Sequence, residues 1–202
     1  MAYGDYELND VLRTFGLAIA RVDLFARVAP LEPSQWLKDD LERGRGIALF
    51  SEKSRCEFIV APILLACQEL VAGQCCVYSG VRLDVDADRG LKGECDFLLG
   101  KTAPSPALQS PLLVVVEAKK NDIEEGIGQC AAQMIGVRLF NEQDQHPVRF
   151  VHGCVTTGET WQFLRLDGQS LLVDAERYYI REVGKILGII VSFFREEEKA
   201  VA

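Results

Sequence analysis

Five consecutive apolar residues, Leu112-Leu113-Val114-Val115-Val116, run directly into Glu117-Ala118-Lys119. Side chains alternate between the two faces of a strand, and a run this apolar reads as a buried strand with its charged end at the rim. Glu117 and Lys119 then share one face, and Val116 and Ala118 share the other. A carboxylate and an ammonium thus arrive together at the margin of a core, where unpaired charge is costly unless a partner or a metal compensates it. Glu-x-Lys is a common pattern: Glu197-Glu198-Lys199 repeats it in a charged tail, where it reads as a solvated helix end. A plain salt bridge is the competing account of Glu117 and Lys119.

The rest of the chain supplies the layers such a strand needs. Leu8, Val11, Leu12, Phe15, Leu17, Ile19, Val22 and Phe25 recur at helical spacing and predict an N-terminal helix over about 6–28, stopped by Pro30. Pro33-Ser34 predicts a short helix through Leu41 that ends near Gly44-Arg45-Gly46. A second long helix is expected over 51–71, with Ser54-x-x-Glu57 as its capping box and Ile59, Ile63, Cys67 and Leu70 as its buried stripe. Strands at 75–85, 93–99 and 112–119 are joined by a polar turn and a proline-containing loop, which favours an antiparallel meander. Asn121-Asp122-Ile123-Glu124 has helix-start chemistry, with Asn121 as cap. Ile123, Ile127, Cys130, Met134 and Val137 mark that helix's buried stripe, with Gln129 and Gln133 along its edge. Strands at 148–156, 161–166 and 171–174 follow, then a last helix over about 176–197. The expected class is α/β in the α+β sense, a central mixed β-sheet flanked by helices.

Length and composition suit one domain over 1–202: a helical N-terminal extension (1–50), a core (51–175) and a C-terminal helix (176–202). Seven cysteines, an odd number without a Cys-x-x-Cys pair, read as reduced core residues. Together with the absence of a signal-peptide pattern or a membrane-length apolar run, they make a cytoplasmic protein with no membrane partner the expectation. The net charge of -8 counts against broad electrostatic attraction to nucleic acid. Phosphate contacts would need a local basic patch, for which Arg43, Arg45, Lys53 and Arg55 are the first candidates and Arg82, Arg89 and Lys92 the next.

Asp96 lies in the strand before Glu117, within Gly93-Glu94-Cys95-Asp96-Phe97. Two carboxylates from neighbouring strands beside a lysine suit phosphodiester hydrolysis: acid oxygens hold Mg²⁺, and a lysine can position or polarise the attacking water. The order is a helix with Glu57, a strand, a strand with Asp96, a strand with Glu117 and Lys119, and a helix with Gln129 and Gln133. In this order the chain resembles the PD-(D/E)xK nuclease superfamily, the restriction-endonuclease-like fold, over roughly residues 51–156. Cys95 stands where that family's motif has its proline. The resemblance implies that Asp96, Glu117 and the backbone carbonyl of Ala118 bind Mg²⁺, with Mn²⁺ able to replace it. Glu57 would hold a second ion or an outer water, Lys119 would orient the nucleophile, and Gln133 (or Gln129) would support the water or a phosphate oxygen.

Glu52 and Glu57 lie five residues apart and point in different directions, and the capping-box spacing favours Glu57. Glu94 shares a face with Asp96 and reads as an exposed acid. His146 and His152 lack metal-binding spacing. The expected partner is nucleic acid, in particular DNA, and a homodimer would suit cleavage of two strands. The alternative is a nuclease-like fold that no longer cuts and serves as a binding or scaffold protein.

Overall fold

A computed structural model describes residues 1–47 and 51–201, the side chains of 196–201 excepted. The chain opens with a 3-10 turn (Tyr3–Asp5), α1 (Leu8–Phe15), β1 (Ala18–Val22) and α2 (Gln35–Arg45). α3 (Glu52–Arg55) passes through a π-helical turn (Cys56–Val60) into α4 (Ala61–Leu70). Then come β2 (Cys76–Arg82), β3 (Glu94–Gly100), β4 (Leu112–Ala118), α5 (Ile123–Gln143), β5 (Phe150–Thr156), β6 (Thr160–Asp167) and β7 (Ser170–Asp174). β8 (Tyr178–Tyr179), a 3-10 turn (Ile180–Glu182) and α6 (Val183–Val201) complete it.

The strands form one mixed sheet in the order β1-β7-β6-β5-β4-β3-β2, with β8 paired to β6. β2, β3 and β4 make the antiparallel meander, whereas β4–β5 and β1–β7 are parallel pairs. β4 is buried along its whole length. Val114 and Val116 join a core with α2, α4 and α6, while Val115 joins the opposite core with α5 and the N-terminal segment. The architecture is thus a mixed α/β sheet with helices on both faces. Among the described residues no helix is long and apolar enough to cross a membrane.

Five local expectations change, the first at Leu70, expected in the buried stripe of the second long helix but exposed at that helix's last turn. The N-terminal helix stops at Phe15, because Gly16 takes the left-handed conformation (φ 64°) and returns its N–H to the Leu12 carbonyl. The next apolar residues form edge strand β1, parallel to β7, and Ile19 is 46% exposed. Its side chain continues no helical stripe, and the first fifty residues contribute a strand to the main sheet. The second long helix is capped by Ser51, whose side chain closes a box with Ser54, so the expected Ser54–Glu57 box does not form. Asp122, rather than Asn121, caps α5 by accepting from the Glu124 N–H. The last helix begins at Val183, since 176–182 is drawn onto the sheet by β8, with Gln162 donating to the Asp174 and Glu176 carbonyls. Residues 48–50, and the side chains of Glu197, Glu198 and Lys199, expected at a solvated helix end, lie outside the described residues.

α5 packs against β4 and β5 on one side and against α1 and the N-terminal turn on the other. Its expected stripe, Ile123, Ile127, Cys130, Met134 and Val137, is buried throughout. So close a crossing requires glycine on the outer side: a Cβ on Gly128 would stand 2.5 Å from both Leu8 N and Tyr6 O. Those are backbone atoms with no rotamer to yield. Gly128→Ala is therefore expected to cost about 3 kcal/mol of stability. Urea denaturation checks this, and an unchanged midpoint would mean that residues 6–8 do not rest on α5.

Candidate active site

The β3–β4 ladder pairs Phe97 with Val116, and one further step in that register sets Asp96 opposite Glu117. There the backbone pairing gives way to a side chain: Asp96 Oδ2 accepts the Ala118 N–H at 2.8 Å. The substitution ties the aspartate to the end of β4. Lys119 continues the edge shared with β5, its N–H donating to the Thr156 carbonyl at 2.8 Å.

Glu117 is only 2% exposed and points toward α5. Lys119 Nζ donates to its Oε1 at 2.8 Å, and Gln133 Nε2 donates to its Oε2 at 2.9 Å. Lys119 Nζ also donates to Gln129 Oε1 at 2.9 Å. The two glutamines, one helical turn apart, thus reach the carboxylate and the ammonium respectively. Gly126 makes room for this: a Cβ there would stand 2.5 Å from Val155 Cγ1 and 3.0 Å from Lys119 Cγ. Gln133 is fully buried, and its Oε1 has no hydrogen-bond partner among the described residues. Both sequence candidates on α5 therefore touch the Glu-x-Lys pair, each through a different group.

Burial, then the nearby Asp96 charge, pushes Glu117 up to about 7, against the pull of Lys119 and Gln133. Asp96 is raised as well, first by burial and then by Glu52 and Glu94, which outweigh the Ala118 N–H and Lys119. Burial alone would lower Lys119, but the charge and hydrogen bond of Glu117, with help from Glu52 and Asp96, raise it, so its ammonium stays protonated. Cys56 borders the same acids: burial first, then Asp96, Glu52, Glu117 and Glu57, push its thiol up to about 12. It is an unreactive thiol at neutral pH.

The structure thus gathers Asp96, Glu117, Ala118, Lys119, Gln129 and Gln133. It does not bring Glu57 in. Glu57 lies exposed in the π-helical turn, 3.9 Å from Lys53, while Glu52 is among the acids acting most strongly on Asp96 and Lys119. Glu52 Oε2 accepts the Lys120 N–H at 3.1 Å, bringing α3 to the end of β4. The sequence signal that identifies it is the cap: with Ser51 at the N-cap, Glu52 occupies the helix's first position. Glu94 is exposed, as expected. His146 hydrogen-bonds Ser110, and His152 stacks on Phe193 in the core.

The anticipated basic patch is largely cancelled by local acids, with Arg45 on Glu42, Lys53 near Glu57, Arg82 on Asp84 and Arg89 on Asp86. Arg55 donates to the Thr157 carbonyl at 2.7 Å, linking α3 to the β5–β6 turn. Lys120 and Arg177, which the sequence reading did not single out, lie with it around a polar cavity beside the site.

Among the described residues no three His, Cys, Asp or Glu side chains form a metal-ligand cluster. The donors that do converge are two carboxylates raised first by burial, Glu117 also by the Asp96 charge and Asp96 by Glu52 and Glu94. That pair suits Mg²⁺, which uses one or two carboxylates and keeps several waters, and a divalent charge would relieve their repulsion. No protein-family model matches the chain, and no curated protein matches it.

Without metal, Asp96 and Glu117 hold their protons more tightly folded than unfolded. For Glu117 the folded state retains its proton between the ordinary value of 4.5 and about 7, so the stability associated with it is lost as pH rises through that window. Glu117→Gln should therefore gain on the native protein in EDTA as pH climbs from 4.5 to 7, and the gap should level off above it. Urea titrations across that range measure the stability of Glu117→Gln minus that of the native protein, and a signed difference that falls or stays constant as pH rises would contradict the buried-acid account.

Proposed function

We propose that this chain is a metal-dependent nuclease that hydrolyses phosphodiester bonds of DNA. The observation that carries the reading is the convergence of Asp96, Glu117 and Lys119 at the end of β4, with Glu117 buried and contacted by both Lys119 and Gln133.

Mg²⁺, or Mn²⁺ in its place, would be held by Asp96 and Glu117, with the Ala118 carbonyl adjacent in sequence as the third donor implied by the resemblance. Bound there, the ion would supply Lewis-acid activation of water and neutralisation of phosphate charge. The chain's own groups have separable tasks. Lys119 is a charged donor, so it orients a water oxygen and offsets negative charge growing on phosphorus oxygens; it is not the proton acceptor. Gln129 limits where that ammonium rests, and Gln133 fixes the rotation of the Glu117 carboxylate. Because the carboxylate is out of bulk water, these polar contacts act with less dielectric screening. Glu52 is the acid placed to act from the α3 side, through its hold on the Lys120 N–H.

A second reading, a nuclease-like binding or scaffold protein that does not cut, draws on the closed pairing of Lys119 with Glu117 and Gln129 and on the net charge of -8. The two readings part in one experiment. Single-stranded, duplex and branched DNA, and RNA, are incubated with the protein in Mg²⁺ or Mn²⁺. The nuclease reading expects metal-dependent DNA cleavage that falls at least about 100-fold in Asp96→Ala, Glu117→Ala and Lys119→Ala with circular dichroism unchanged. Glu52→Ala should lower the rate more than Glu57→Ala. No cleavage of any substrate would leave the scaffold reading.

A further inference from the structure

Beside the acid pair lies a cavity of about 340 Å³ with almost wholly polar walls. Its walls come from the chain between β4 and α5 (Lys120 to Glu124), the β5–β6 turn at Thr157, Glu159 and Thr160, and two arginines, Arg55 and Arg177. It therefore begins one residue beyond Lys119, outside the carboxyl ends of the parallel strands β4 and β5, where open α/β sheets commonly receive ligands.

Its formal charges balance, with Arg55, Lys120 and Arg177 facing Asp122, Glu124 and the exposed Glu159, but they are committed unequally. Asp122 Oδ1 is committed to the Glu124 N–H, and Glu124 is paired with Arg177. Arg177 is further positioned by Gln162 Oε1 at 3.2 Å, and Arg55 by the Thr157 carbonyl at 2.7 Å. Both guanidiniums are thus held at the cavity wall, Arg55 by the Thr157 carbonyl and Arg177 through two nitrogens by Glu124 and Gln162, which leaves Arg177 with more N–H donors than those two contacts use. The Lys120 ammonium is exposed and, among the described residues, makes no ion pair or side-chain hydrogen bond; its backbone N–H is the group that Glu52 holds. In a chain that pairs most of its other candidate cations with neighbouring acids, this wall holds an unpaired lysine between two anchored arginines.

We infer that this cavity is an anion subsite that takes a backbone phosphate of a DNA strand next to the phosphodiester placed at Asp96 and Glu117, with Lys120 as its main charge contact and Arg55 and Arg177 as its flanking donors. The inference rests on the nuclease reading for the identity of the neighbouring group and adds the strand's register. Lys119 serves the reacting centre, and Lys120, on the wall of the cavity, serves the adjoining phosphate. It also places phosphate binding beside the reacting centre, on a few side chains of an acidic protein, rather than on a broad basic face.

The test uses the full chain and a short fluorescein-labelled single-stranded DNA, with anisotropy read in EDTA over a range of salt concentrations. Lys120→Ala should weaken binding roughly tenfold at low salt and reduce the magnitude of the log–log salt slope by about 1, as expected for one lost phosphate contact. Lys120→Arg should restore the slope, and Arg82→Ala on the far strand β2 should leave it unchanged. A wild-type slope in Lys120→Ala, or no DNA binding by the native protein, overturns the subsite. Cleavage in Mg²⁺ separates the two ideas: native cutting with an unaltered KM in Lys120→Ala removes the subsite and keeps the nuclease. Native binding that depends on Lys120 without any cutting keeps the subsite and removes the nuclease.

Discussion

The burial of one carboxylate, Glu117, organises this end of the molecule. An acid at 2% exposure on a fully buried strand is tolerable only if its oxygens are met, and both are: one by the Lys119 ammonium, the other by the Gln133 amide. Each partner constrains a different element. Lys119 fixes how the chain leaves β4, and Gln133 fixes the rotation of α5 against the sheet. The contacts reduce the cost without removing it, since Glu117 still rises to about 7 with Asp96 beside it. Under the nuclease reading, a bound cation would relieve that repulsion.

The topology explains why the partners come from α5. β4 and β5 are parallel, so the chain must cross over between them, and α5 is the crossover. That connection starts α5 beside the end of β4, and the residues about two and three turns into the helix, Gln129 and Gln133, reach Lys119 and Glu117. The helix can sit so low because Gly126 faces Val155 and Lys119, and Gly128 faces the backbone of residues 6–8. The N-terminal segment that crosses α5 is thereby part of the same packing problem as the site. On the opposite sheet face, Ser51 sets the start of α3 and so brings Glu52 to the Lys120 N–H.

Where local pattern and burial coincide, the chain is readable in advance. β4 announces itself by unbroken apolarity, and α5 by a stripe from Ile123 to Val137 that is buried at every predicted position. Reading fails where a short pattern fits two structures. Leu17, Ile19 and Val22 continue a helical spacing from α1, yet Gly16 ends that helix and the same residues lie in or beside an edge strand. Ser51 and Ser54 both offer a cap three residues before a polar side chain, and choosing Ser54 carries Glu57 forward in place of Glu52. Arg177 could not be connected with residue 120 from sequence, because β8 draws the 176–182 segment onto the sheet only through long-range pairing with β6.

The sequence by itself determined the buried strand, the shared face of Glu117 and Lys119, the position of Asp96 one strand earlier, and the helix that follows, because strand alternation and helical periodicity are local properties of the chain. Tertiary structure alone decided that Gln129 takes the lysine and Gln133 the carboxylate, that Glu52 rather than Glu57 reaches the end of β4, and that Lys120, Arg55 and Arg177 surround one cavity. Those outcomes depend on how low α5 sits, where α3 begins relative to the sheet edge, and which strand captures residues 178 and 179. Each is a contact between segments far apart in sequence, settled by packing and by the need to satisfy buried polar groups.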